Sequence, residues 1–416
     1  MTVSLGRVGP CVNEEWATPC YPRVMRFRRA PSLVGALFIA AACAAQPPVI
    51  QRPTAAVVTT PPSGAPAGLP GGRVLFSKGG VDLWSASPDG SGRTAVTTDG
   101  LAAGGYVGGR WSPDGTLVAA ERAVPGEGGS ALFLFKTGNA PLRLTKVDTF
   151  LDGYAWSSDG RYLTYGEVTS GGTAAAGGSL AGAIGDVHLY DTRTATDVVI
   201  GPGTHPAFSP DGTRLGYAHV SGAIALADLR GLGTAKDVPT QMLVTLTDLS
   251  RYSTAIAPKG MGLIGGPLFS SDGKLVAYAA IEKGPILEAE QIVYVQEAVA
   301  GAPPRLHVIG KTGAVHHVAD LRWSPTAPVL AYSIINAQPH HHWLAVIDQR
   351  SGERRELYDS AQHFLDFTWS PDGSTILLQV DDGDEWLYFK PDRSGPLGRV
   401  TPGGWRPEWC RCAPRA

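Results

Sequence analysis

Charge is what this chain has least of. Asp, Glu, Lys and Arg make up only 17% of its 416 residues, and the formal net charge is −2. Residues 1–43 contribute five Arg and two Glu, which leaves about −5 on the remainder. There is no basic face and no aromatic-plus-basic stripe, so nucleic acid is not an expected partner. Catalytic signatures are missing too. No Gly-x-Ser-x-Gly elbow, nucleophile triad or phosphate loop is found, so a hydrolase of the nucleophile-elbow kind is not expected. Apolar runs are short. Leu33–Ala42 is the notable one, and it is too brief to span a bilayer as a stable helix.

That stretch follows a basic run, Met25-Arg26-Phe27-Arg28-Arg29, and ends on small residues before Cys43. The pattern is a targeting signal, with Met25 as the expected true start. It resembles a bacterial lipoprotein signal, which implies a lipid on Cys43 and an extracytoplasmic, membrane-anchored protein. Ala40 stands where that motif prefers Leu, and an ordinary secretory signal cleaved near Ala45 is the alternative. The expected organisation is a signal region over 1–42, the lipid site and a Pro/Ala-rich tether over 43–71, a globular head over 72–410 and a tail over 411–416. With Met25 as the start, only Cys410 and Cys412 accompany Cys43. They could form a local disulfide, join a metal site with outside help, or be tail cysteines without chemistry, the simplest outcome.

What the chain does have is a repeated phrase. Trp111-Ser112-Pro113-Asp114-Gly115 returns at Trp156, Phe208, Phe269 and Trp369, with a degraded copy at Trp323-Ser324-Pro325-Thr326. From aromatic to aromatic the steps are 45, 52, 61, 54 and 46 residues. Repeats of roughly 40–50 residues indicate propellers or solenoids. Ser, Pro and Gly suit the first, second and fourth positions of a type I turn, so each phrase is a hairpin between the first two strands of a blade. The Asp residues of these turns are expected to bond their own backbone rather than to act as paired catalytic carboxylates. Val74–Thr97 supplies three strands lacking a first one, and Trp405–Trp409 supplies a lone first strand, with Trp409 in the place of the repeat aromatic. Joining them would close the ring and remove exposed edges. The expected fold is therefore an all-β, seven-bladed propeller of four-stranded blades.

The repeat resembles that of the TolB-type, WD40-like propellers over about Gly72 to Trp409. A Pro/Ala linker stands where TolB carries an amino-terminal domain, so the resemblance implies the propeller and not TolB's own role. Function is sought on the face opposite the Ser-Pro-Asp-Gly turns, which also carries the insertions Ser170–Gly185 and Glu282–Pro304. Tyr106, Tyr154, His205 and His363 are the expected residues at the mouth of the central channel. His340-His341-His342 is expected between two strands of one blade, with His316-His317 on the fourth strand of the blade before. His340, His342, His316 and His363 could together hold Zn or Cu, or could be incidental residues of a solvated loop. The resulting reading is a monomeric, lipid-anchored scaffold without a cofactor that binds a protein, a cell-envelope partner or a ligand. The alternative is a metal-binding, hydrolytic or lyase enzyme using the His-rich face.

Overall fold

The computed structural model describes residues 62–410 except 101–103, 127–129, 148, 170–184, 231, 233–237, 245–260, 283–290, 309–315, 338–339, 362–365, 381–384 and 402. Cys43, His363 and the insertion tips therefore lie outside the described residues, and for His316 and His340 only the backbone is described.

The first strands are β1 (Arg73–Lys78), β2 (Asp82–Ala86) and β3 (Thr94–Ala95), followed by β4 (Tyr106–Trp111), β5 (Val118–Ala123), β6 (Ser130–Phe135) and β7 (Leu142–Arg143). Next come β8 (Thr149–Trp156), β9 (Tyr162–Thr169), β10 (Gly185–Asp191), β11 (Thr196–Phe208), β12 (Arg214–His219), β13 (Ile224–Asp228) and β14 (Thr240–Val244). β15 (Met261–Phe269), β16 (Leu275–Glu282), β17 (Gln291–Glu297) and β18 (Arg305–Val308) precede β19 (His316–Trp323), β20 (Val329–Ala337), β21 (His340–Asp348) and β22 (Arg354–Ser360). The chain ends with β23 (Phe367–Trp369), β24 (Ile376–Val380), β25 (Glu385–Phe389), β26 (Gly398–Val400) and β27 (Trp405–Cys410).

These strands build a β-propeller of antiparallel sheets. Five sheets have four strands: β27-β1-β2-β3, β4 to β7, β15 to β18, β19 to β22 and β23 to β26. The expectation of seven four-stranded blades is corrected by the region between them. There, β8 to β14 form one continuous seven-stranded sheet. The physical reason is β11. It stays extended for 13 residues, pairing with β10 up to Pro202 and with β12 from Gly203 onward. The break expected between two repeat units is absent there.

The core lies between sheets rather than within one. Leu75 and Leu83 pack with Tyr106 and Val118 of the following sheet. Val74, Phe76 and Trp409 pack with Leu377, Trp386 and Tyr388 of the final one. The sheet that joins the two chain ends, with Val74 opposite Trp409, therefore contacts sheets on both sides. Burying large aromatics such as Phe76 and Trp386 is worth about 2–3 kcal/mol each.

Each full repeat phrase folds identically. The Gly N–H donates to the Ser carbonyl, as in Gly115 to Ser112, and the Ser hydroxyl donates to the Asp carboxylate, as in Ser209 to Asp211 at 2.6 Å. All five turn glycines have φ of +70°, where a side chain would add strain. The Trp residues stitch neighbouring inner strands. Trp156 Nε1 donates to Arg110 O, Trp323 Nε1 to Leu268 O and Trp369 Nε1 to Arg322 O. In each case the acceptor is the residue just before the previous repeat aromatic.

Cys410 takes part in a disulfide whose partner lies outside the described residues, so it is not the inert tail cysteine of the simplest sequence reading. Among the described residues, no helix is long and apolar enough to cross a membrane.

Candidate functional site at the propeller axis

The strands that open the four-stranded sheets are β27, β4, β15, β19 and β23, and the repeat aromatics Trp156 and Phe208 end β8 and β11 of the seven-stranded sheet. Alternation along a strand sends residues one and three before the repeat aromatic to the same side. One before the aromatic stand Arg110, Ala155, Ala207, Leu268, Arg322, Thr368 and Glu408. Three before it stand Gly108, Gly153, His205, Gly266, Asp320, Asp366 and Arg406. Six of these fourteen are charged, in a chain with 17% charged residues, so charge is concentrated on this wall.

Contacts between strands that are not neighbours show that the side chains converge. Arg322 on β19 reaches past β23 to Glu408 on β27, with Nη1 to Oε2 at 2.8 Å, while its Nε holds Asp320 at 2.7 Å. Burial alone would lower the pKa of Arg322. Asp320, Glu408 and Asp366 outweigh that and raise it. Burial likewise pushes Glu408 up, but Arg322 and Arg110 overcome it and leave its carboxyl below the usual range. Arg406 Nη1 lies 2.7 Å from Glu121 Oε2, and its Nε is 3.9 Å from Asp366. Arg110 lies over the ring of Tyr154 at 5.3 Å, and burial raises the pKa of that phenol.

On β8 and β11 the balance differs. His205 Nε2 lies 3.2 Å from Asp152 Oδ1, while Asp152 Oδ2 is buried with no hydrogen-bond partner among the described residues. Burial pushes the carboxyl of Asp152 upward, against the partial opposition of His205 and Thr204. Bulges bring this pair together. The β8 register shifts between Leu151 and Tyr154, and the β11 register shifts between Thr204 and Ala207. Backbone strain marks the same level. His205 has φ of 51° and Arg406 48°, two of only three non-glycine residues with positive φ among those described. Gly153, at the equivalent position, adopts φ of 79° without a side chain. Gly266 lets the His205 chain pass, since a Cβ there would fall 2.2 Å from that of His205.

Of the expected mouth residues, His205 is one of those standing three before a repeat aromatic, whereas Tyr154 packs against the core cluster of Leu163 and Tyr165 with Arg110 over its ring. Tyr106 is fully buried, with its hydroxyl donating to Asp99 Oδ1 at 3.0 Å. His363 lies outside the described residues. The other histidines sit elsewhere than expected. His340–His342 belong to β21 itself, because β20 and β21 stay paired out to Ala337 opposite His340. His316 and His317 open β19, since Arg305–Val308 already fills the fourth place of the preceding sheet. The register sets His316 opposite Asn336, and Asn336 opposite His341 rather than His340 or His342. His342 is buried. Among the described residues, no group of three or more His, Cys, Asp or Glu is placed to hold a metal ion. Sequence reasoning missed Asp152, Arg322, Arg406 and Glu408. Aligning the repeats on their aromatics and reading the first and third residues before each would have found all but Asp152, which a bulge displaces.

Comparison with known proteins supports the fold. No family model and no curated protein matches the chain. Among solved structures, the periplasmic gluconolactonase PpgL of Pseudomonas aeruginosa is similar, with 14% identity, coverage of 82% of this chain and 98% of that one, and a TM-score of 0.54. A candidate 6-phosphogluconolactonase from Bacteroides uniformis aligns at 13% identity over 81% of this chain and 98% of that one, with a TM-score of 0.52. TolB from Acinetobacter baumannii aligns at 15% identity over 82% of this chain and 68% of that one, with a TM-score of 0.42. At these identities the likeness is one of fold: the chain is a β-propeller with TolB and lactonase propellers among its structural neighbours.

Proposed function

We propose that this chain is an extracytoplasmic binding propeller, tethered through Cys43, that recognises a polar ligand or a polar group of a partner at its axis. The observation that carries this reading is the concentration of Arg110, Arg322, Arg406, Asp152, Asp320, Asp366 and Glu408 on the inner wall. Charged groups are costly to gather in a partly dry interior, and their retention there points to recognition rather than stability. The signal-like segment ending at Cys43 and the disulfide at Cys410 support an oxidising compartment outside the cytoplasm.

Filling the wall tests the reading. Ala155→Trp places a bulky ring at the axis. Polar envelope metabolites that raise the melting temperature of the wild-type protein should fail to do so in this variant. Equal stabilisation of both proteins would place binding elsewhere and defeat the proposal. A second, hydrolytic reading is favoured by the contact between His205 and Asp152, an acid–base pair in a strained backbone. Gluconolactone turnover above the uncatalysed rate, lost in His205→Gln, would replace binding by catalysis.

A further inference from the structure

We propose that Asp152, presented beside His205 on the axial wall, binds the primary ammonium group of an organic amine. The inference rests on the axial binding reading and names the chemistry of its ligand. Arg322 sits between Asp320 and Glu408, and Arg406 sits between Glu121 and Asp366. Arg110 is the remaining cation, and it stacks on Tyr154. Asp152 has His205 as its ion-pair partner and Thr204 acting on it as well, and its buried Oδ2 has no hydrogen-bond partner among the described residues. With Glu121 of β5 reaching Arg406, carboxyl groups (Glu121, Asp152, Asp320, Asp366 and Glu408) outnumber the three arginines here.

That balance discriminates between ligand classes. An anion would meet uncompensated carboxylate. A neutral hydroxyl would satisfy Oδ2 with one hydrogen bond and leave the charge unopposed. An ammonium group supplies both the donor and the charge, and charge-assisted bonds of this type are the stronger kind. The backbone at His205 adds an independent sign. Gly153 shows that glycine fits the equivalent left-handed position, so a histidine there carries strain that a purely structural residue would not need.

The proposal also implies proton linkage. Burial favours the neutral form of Asp152, and a bound cation favours the charged one, so binding releases a proton wherever Asp152 is partly protonated. His205, Thr204 and Glu121 are the groups that act on it.

Calorimetric titration of the full chain at low salt provides the test. The probes are spermidine for a free amine, a lysine-ended hexapeptide for a side-chain amine, and glucose, gluconate and calcium chloride as competitors in kind. One-to-one binding of either amine should weaken at least tenfold in Asp152→Asn. It should be unchanged in Asp272→Asn, at a repeat turn. The amine that binds more tightly identifies the source. If Asp152→Asn does not fold, a trimethylated form of the tighter amine, which has no N–H to donate, serves instead: it should bind at least tenfold more weakly than its primary parent, and equal binding overturns the proposal. Glucose or gluconate binding without amine binding would overturn the ammonium assignment and leave the axial reading standing. So would calcium binding tighter than either amine and lost in Asp152→Asn. A folded protein that binds none of the probes overturns the ammonium assignment alone, because the Ala155→Trp comparison tests the axial reading separately.

Discussion

Two histidines of the seven-stranded sheet face carboxylates in opposite ways. His188 on β10 is 3% exposed. Its Nδ1 lies 2.8 Å from Asp197, its Nε2 lies 3.4 Å from Glu167, and its ring stacks on Tyr165 at 4.8 Å. Glu167 also accepts from the Lys146 backbone N–H and the Thr149 hydroxyl, and Tyr165 donates to Asp197. His205 on β11 is 29% exposed on its side chain, sits in a left-handed backbone, and faces a single carboxylate with an orphan oxygen. The first arrangement is enclosed by two carboxylates and a stacked ring, although His188 Nε2 makes no hydrogen bond among the described residues. The second leaves strain and an open valence at the axis. A histidine beside an acid is thus not itself a functional signal; what sets His205 apart is its strained backbone, its exposure and the unpartnered carboxylate oxygen beside it.

The largest expected effect that separates the two is on stability. Glu167→Ala should cost about 3 kcal/mol, because it strands the Lys146 amide, Thr149 and His188 together. Little of that comes from the Lys146 ammonium, which is mostly exposed. Urea denaturation would measure it, and a cost below about 1 kcal/mol would erase the distinction from the Asp152 site.

The pH dependence has opposite signs at the two places. Glu167 is pushed up by burial, but bonds from Lys146 and Thr149 win and hold its folded pKa low. Its stabilisation is therefore full above the unfolded value of about 4.3 and is lost as pH falls through the folded one. Asp152 is raised in the fold, so stability declines as pH climbs from its unfolded value of about 3.9 to the folded one. Melting temperatures against pH should show Asp152→Asn removing that decline and gaining stability at neutral pH. Glu167→Gln should instead flatten the acid limb. Parallel shifts in both variants would contradict the comparison.

The smallest difference concerns the rings. His188→Asn should cost about 2 kcal/mol through the lost Asp197 bond and Tyr165 stack. His205→Asn should be neutral or stabilising by up to about 1 kcal/mol, since Asn tolerates positive φ. Paired thermal melts of the two variants would check the order, and a larger cost at His205 would reverse it.

Much of the fold was written locally. The Ser-Pro-Asp-Gly turns form the hairpins that their residues dictate, as the Ser209 to Asp211 bond illustrates. The place of Trp409 opposite Val74 was also legible, because an orphan first strand and a sheet lacking one can satisfy their backbone groups together. The unbroken course of β11 was not. Gly201-Pro202-Gly203 reads as a breaker in sequence, yet it remains extended between partners on both sides. The histidine run was misplaced for a related reason. Polar residues suggested a loop, and pairing with Ile335–Ala337 drew them into a strand.

Sequence by itself determined that this chain is a propeller, because turn chemistry and a repeated hydrophobic period act over a few neighbouring residues. Only the tertiary structure decided which strands fuse into one sheet, and which of several histidines and carboxylates meet. Arg322 finds Glu408, and Asp152 finds His205, through bulges and inter-strand distances that no spacing along the chain encodes. The candidate site is a product of that convergence at the axis.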